Sequence, residues 1–222
     1  MMRRAMLLLA ATMAALLLLA SGVALAVNKI GTNGPDTLRG TNKADNLLGR
    51  GGNDDIFGLG GNDNLRGEEG KDNVFGGNER RPSGGDKNLL GGEGNDRVLG
   101  GTGSDNVVGG PGNDLVDGGP GADDITGGDG TDLLFDGEQR RGPTDTLVGG
   151  DGNDFLGPIN APAGRDVVVC GDGFDRVWVD RKDEVAPDCE KVILGVGSAQ
   201  AEAFFGSIPE SFEEGLPPFP EG

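Results

Sequence analysis

Fourteen aspartates recur through this chain at one place in a nine-residue pattern. Asp36, Asp45, Asp54, Asp63 and Asp72 form a first series, and Asp96, Asp105, Asp114, Asp123 and Asp132 a second. Asp145, Asp154, Asp166 and Asp175 follow at looser intervals. Paired carboxylates can do acid–base work, but a glycosidase needs two of them in unlike environments within a cleft. These are equivalent rungs of a ladder. If two nine-residue units close one coil, Asp96, Asp114 and Asp132 stack along one edge and Asp105 and Asp123 along the other. Neighbouring strands lie about 4.8 Å apart, so stacked carboxylates repel unless a cation lies between them. A hard divalent ion with oxygen ligands at about 2.4 Å fits, and turn carbonyls add the neutral oxygens that Ca²⁺ accepts more readily than Mg²⁺. The spacing points to several bound calcium ions.

The elements that must position these carboxylates are legible in Gly91 to Phe135. The segment reads GGEGNDRVL GGTGSDNVV GGPGNDLVD GGPGADDIT GGDGTDLLF, with Gly at positions one, two and four, Asp at six and an aliphatic residue at eight. Three glycines in nine residues, each costing about 1 kcal/mol relative to Ala, exclude a helix. Gly-Gly-x-Gly-x is a turn of residues that tolerate positive φ, and Asp-x-U-x, with U aliphatic, is a short strand with one side chain turned inward. Turn and strand in alternation build a coil of parallel strands.

The unit GGxGxDxUx resembles the RTX (hemolysin-type) calcium-binding nonapeptide repeat position by position. The resemblance implies an all-β fold, a parallel β-roll (two-sided β-solenoid), with each Ca²⁺ bridging turns through Asp side chains and backbone carbonyls. It also implies enzymes that carry a separate catalytic domain, for which this chain has no room. Many members are toxins or proteases exported by a C-terminal signal, a pattern from which this chain departs.

A worn block, residues 27–75, precedes the strict one. Its units GTNGPDTLR, GTNKADNLL, GRGGNDDIF, GLGGNDNLR and GEEGKDNVF keep Asp and the aliphatic residue while losing second glycines. This is expected if position six binds metal, position eight fills the core, and position two only eases the turn. Insertions interrupt the register near 78–86 and 136–144. In the first, Lys87 stands where Asp belongs and Asp86 is an out-of-register substitute. Each insertion carries an arginine pair, Arg80-Arg81 and Arg140-Arg141, read either as a basic spot or as two solvated loops. Position eight is aliphatic in all fifteen units from Leu38 to Val177.

Cys170 and Cys189 are the only cysteines. Their separation is one eighteen-residue coil plus one, which places them on adjacent coils within bridging range. In an exported chain a disulfide is the default reading, and a reactive dithiol the sharper one. Residues 195–222, rich in proline and acid, read as a disordered tail, or as a docking peptide that uses Phe204, Phe205 and Phe219. Position nine carries Phe57, Phe75, Leu99, Phe135 and Trp178 on one edge set, read as an external stacking ladder or as a surface for weak self-association.

The first 26 residues read as a signal peptide, with Arg3-Arg4 before an apolar stretch and an A-x-A site ending at Ala26. An uncleaved anchor is the alternative. Cleavage removes two arginines and takes the net charge from −18 to −20, and the protein is expected to be extracellular. Such acidity argues against nucleic acid, whose phosphates require Lys and Arg. Histidine is absent, which removes H-E-x-x-H and Ser-His-Asp chemistry. No enzyme is expected. Two classes remain: a calcium-binding structural protein of a cell surface or matrix, or an adhesion protein that uses the calcium-loaded roll as a scaffold.

Overall fold

The computed structural model describes residues 25–77, 87–137, 143–157, 165–195, 208, 212 and 215–218. The expected signal peptide lies almost wholly outside the described residues, as do Arg80-Arg81, Asp86, Arg140-Arg141, Phe204, Phe205 and Phe219. Among the described residues, no helix is long and apolar enough to cross a membrane.

Eighteen short strands, from Asn28–Ile30 to Lys191–Leu194, follow one another among the described residues. The first, third, fifth and later odd strands form one nine-stranded sheet, and the even strands form the other. Every pairing is parallel. Val98 lies beside Val116 and Val116 beside Leu134, so one coil closes in eighteen residues, two repeat units. The architecture is an all-β parallel solenoid, as the repeat requires. Insertions do not disturb it: Leu65 pairs with Leu89, and Ile125 with Leu147, so the register is kept across both.

Alternation of side chains along each strand sets what faces inward. In Asp105–Pro111 the buried residues are Asp105, Val107 and Gly109, while Asn106 is exposed and Val108 half-buried. The inner face of each strand is therefore Asp, aliphatic, Gly. The aliphatic residues of all fifteen units, Leu38 to Val177, are buried and form a single file between the sheets. Burying each contributes about 1.5–3 kcal/mol, so the core between the sheets is one residue thick.

Outside, the first sheet carries asparagine ladders. Asn64 donates to Asn46, and Asn46 to Asn28. The second sheet carries the position-nine residues in register: Phe57 beside Phe75, Phe75 beside Leu99, and Asp117 beside Phe135. Phe57 and Phe75 stack with centroids 5.2 Å apart, and the Arg39 guanidinium lies 4.5 Å over Phe57. This end of the row is a stacking ladder. Further along, tail residues cover the sheet. Phe212 and Leu216 are buried against Leu133 and Phe155, with Phe135, Trp178 and Ile193 around them. Carbonyls of the tail accept from Lys71 Nζ (Gly215, 2.7 Å), Arg97 (Pro217, 2.6 Å) and Asn73 (Pro218, 2.9 Å).

The two ends of the stack differ. At the N-terminal end Lys29 takes the place of the aliphatic residue and its Nζ reaches the Arg39 carbonyl of the opposite sheet. Its stem can thereby lie over the open end of the core. At the other end Cys170 and Cys189 are joined, with Cα atoms 5.2 Å apart, and Cys189 packs on the core.

Candidate metal centre

Each position-six Asp opens a strand and is fixed by backbone on both sides. Its carbonyl accepts the position-seven N–H of the next coil, as Asp96 does from Leu115 and Asp114 from Leu133. Its own N–H donates to the Oδ1 of the next Asp along the edge. Asp96 donates to Asp114, Asp114 to Asp132 and Asp105 to Asp123, each at 2.8 Å. Asp36 to Asp54, Asp54 to Asp72 and Asp45 to Asp63 do the same at 2.8–2.9 Å. All six same-edge pairs expected from uninterrupted spacing are thus brought together. The ladder also crosses the insertions: Asp72 to Asp96, Asp123 to Asp145, Asp132 to Asp154, Asp145 to Asp166 and Asp154 to Asp175, at 2.8–3.0 Å.

This bonding uses one oxygen of each accepting carboxylate. The other is buried and has no hydrogen-bond partner at Asp54, Asp72, Asp96, Asp114, Asp123, Asp132, Asp145, Asp154 and Asp175. An orphaned carboxylate oxygen is costly in a protein interior, and its repetition at every coil asks for a common partner.

The glycines show where that partner has room. Position-one glycines do not have positive φ; they are required because of what their missing side chains would meet. A Cβ on Gly40 would lie 2.6 Å from Asp45 Oδ2 and 2.5 Å from the Gly58 carbonyl, and one on Gly109 would strike Asp114 Oδ2 and the Gly127 carbonyl. Carboxylate oxygen and next-coil carbonyl converge on a space that only glycine leaves open. Position-two glycines such as Gly110 (φ 125°) are needed for conformation instead. The worn block keeps that conformation without glycine: Arg50, Leu59 and Glu68 have φ of 86°, 79° and 80°. The substitutions at position two therefore store strain, beyond any easing of the turn.

Burial pushes the carboxyls far above their ordinary 3.8. Asp114 rises to about 9, Asp123 and Asp132 to about 8, and Asp72, Asp96, Asp145 and Asp154 to about 7. Asp54 and Asp175 also rise. Desolvation is the main cause in each case; neighbouring aspartates add to it, and the donated backbone N–H partly offsets it. The site binds protons avidly in the absence of a better cation. A divalent ion satisfies the orphaned oxygens and the charge together, so the donor set of buried carboxylates and carbonyls fits calcium.

The first two units are built differently. Thr32 donates through its N–H (2.6 Å) and hydroxyl (2.9 Å) to Asp36 Oδ2, and Thr41 does so to Asp45 Oδ2 at 2.5 and 3.1 Å. At the far end the acceptors are not repeat aspartates. Asp166 donates to Asp183 Oδ1 at 3.2 Å and Asp175 to Glu190 Oε2 at 2.9 Å. Spacing missed both acids, which lie 17 and 15 residues on, out of the eighteen-residue register. It also missed the position-five asparagines: Asn95 Oδ1 accepts from the Asn113 N–H and Asn113 Oδ1 from the Thr131 N–H, a rail outside the turns. Lys87 pairs with Asp105 in register, where the pattern places the missing Asp.

Comparison with known families matches a model described as RTX calcium-binding nonapeptide repeat (4 copies). It covers residues 30–65, 49–80, 83–107, 99–134 and 144–156, more than half of the chain. Comparison with curated proteins returned no match.

Proposed function

The chain belongs to the RTX calcium-binding nonapeptide repeat family, and from that premise we propose that it is a secreted structural protein whose folding is coupled to calcium bound between its coils. The observation that carries this reading is the buried, unpartnered Oδ2 that recurs at position six from Asp54 and Asp72 through Asp96, Asp114, Asp123, Asp132, Asp145 and Asp154 to Asp175. Asp54, Asp63, Asp72, Asp96, Asp105, Asp114, Asp123, Asp132, Asp145, Asp154, Asp166 and Asp175 would hold the ions, with turn carbonyls completing each shell. Asp36 and Asp45 belong to the same ladder, but their threonine bonds already satisfy the second oxygen, so they form a cap that asks less of the metal. Bound calcium supplies positive charge where the fold has stacked negative charge, and no reaction is assigned to the site. Secretion is supported by the signal-like first 26 residues and by the disulfide, which suits an oxidising compartment.

The test is a calcium titration of residues 27–222, followed by circular dichroism and by ion stoichiometry in parallel. A steep rise in β signal with several ions bound, reversed by chelator and weak with Mg²⁺, is the expected result. Full β signal in chelator would refute the coupling.

The tail supports a second reading as an interaction protein. Ile208, Phe212 and Leu216 pack on apolar side chains of the even-strand sheet, so a partner that displaces them would find a ready surface. Binding of cells or matrix by protein truncated at residue 194, compared with full-length protein, separates the two.

A further inference from the structure

Asp136 is an acid in the wrong place for the repeat. It opens the thirteen-residue unit 136–148, at position one, where the strict units have glycine. Its side chain is fully buried. At the equivalent position one coil earlier, a Cβ on Gly118 would lie 2.7 Å from Asp123 Oδ2. Position one thus aims at the position-six carboxylate of its own unit, here Asp145. Ligand atoms of Asp136, Asp145 and Asp166 all lie within 4.8 Å of one another, and all three residues are buried. Asp145 Oδ1 accepts from the Asp123 N–H, while its Oδ2 is buried without a partner.

We propose that Asp136, Asp145 and Asp166 form a three-carboxylate calcium site, distinct in composition from the two-carboxylate sites of the regular coils. The proposal rests on the reading of the chain as a calcium-binding roll. A regular coil offers the ion two aspartates and neutral carbonyls; here a third carboxylate enters from position one. Ligand charge is a principal determinant of affinity for Ca²⁺ at oxygen sites, so this site fills first as calcium rises. It then anchors the coil interrupted by the second insertion, where the extra residues would otherwise weaken stacking. Among the described residues, the grouping of Asp188 with Cys170 and Cys189 offers no thiolate because the cysteines are bridged.

The experiment compares calcium isotherms, by calorimetry and by dialysis against ⁴⁵Ca, for residues 27–222 as wild type, Asp136→Asn, Asp136→Gly and Asp124→Asn. Asp124→Asn removes the same charge from an outward-facing side chain. Wild type and Asp124→Asn are expected to bind one ion more tightly than the rest. In Asp136→Asn that ion should weaken by at least the tenfold or so that loss of even an outer-shell partner costs a metal site. Asp136→Gly restores the regular Gly-Gly turn and keeps the test valid if the asparagine variant folds poorly; it should lose the one tight ion and keep the weaker ones. Wild-type isotherms in both position-136 variants would overturn the proposal, as would greater stability in chelator with calcium affinity unchanged. A wild-type protein that takes up no calcium at all would refute the family-wide reading, and this one with it.

Discussion

Strip the metal from residues 27–222 and raise the pH, and the roll should come apart; lower the pH, still without metal, and much of it should return. The sign follows from the carboxyls. Asp72 ionises near its ordinary 3.8 when unfolded but only at about 7 in the fold, because burial disfavours the charge. Its contribution to stability is fully present below 3.8 and is lost as pH rises through about 7. At pH 7 the difference opposes the metal-free fold by about 4 kcal/mol. Asp96, Asp145 and Asp154 behave alike, and Asp114, Asp123 and Asp132 are raised further. Several such groups together oppose the fold by an amount comparable with the 5–15 kcal/mol that holds an ordinary domain together. Far-UV circular dichroism of exhaustively dialysed protein should therefore show β structure near pH 4.5 and coil at pH 8.5. Millimolar calcium should restore the β signal at pH 8.5 and flatten the profile between pH 6 and 9. Equal β signal at pH 4.5 and 8.5 without metal would refute the reasoning, because the buried carboxyls would then be carrying charge at no cost.

Glu68→Gly should stabilise the calcium-loaded protein by about 0.5–1 kcal/mol, seen as a higher denaturant midpoint, since glycine relieves a φ of 80° at some expense in chain entropy; a lower midpoint would show that Glu68 makes another stabilising contact. Cys170→Ser should cost about 3 kcal/mol through the released loop, with amide exchange rising first in residues 165–195, and unchanged exchange there would count against a capping role. Phe212→Ser with Leu216→Ser should uncover Leu133, Phe135 and Phe155 and promote self-association in calcium; monomeric sedimentation at high concentration would show that this face is inert.

What the sequence made legible was whatever repeats. Asp at six and the aliphatic residue at eight recur because each coil imposes the same inner face, and that periodicity placed the strands, the two edges and the fifteen core residues. Position one was harder to read. Its glycines look like turn residues, yet they are there to leave room for a carboxylate and a carbonyl, so nothing in the repeat pattern marked Asp136, at the start of the second insertion. Thr32 and Thr41 likewise read as lost glycines. Their hydroxyls matter only through Asp36 and Asp45, four residues on, a contact no nine-residue count reveals. Asp183 and Glu190 end the ladder at irregular intervals because the final coils are shorter. The seat of Phe212 and Leu216 depends on which outer face of the rod is apolar, a property of the stacked coils that no single unit displays.

Because each coil closes in eighteen residues and hands the same donors and acceptors to the next, the height of the stack is a free variable. Duplicating Gly100–Asp117 would insert one coil whose every backbone and carboxylate bond already has its counterpart above and below, lengthening the rod by about 4.8 Å. The structures that cannot be copied, the threonine-satisfied coils and the cystine, lie at opposite ends, outside such a segment. Recombination between neighbouring repeats in the gene can therefore lengthen or shorten this protein in whole steps, like links added to a chain between two fixed clasps.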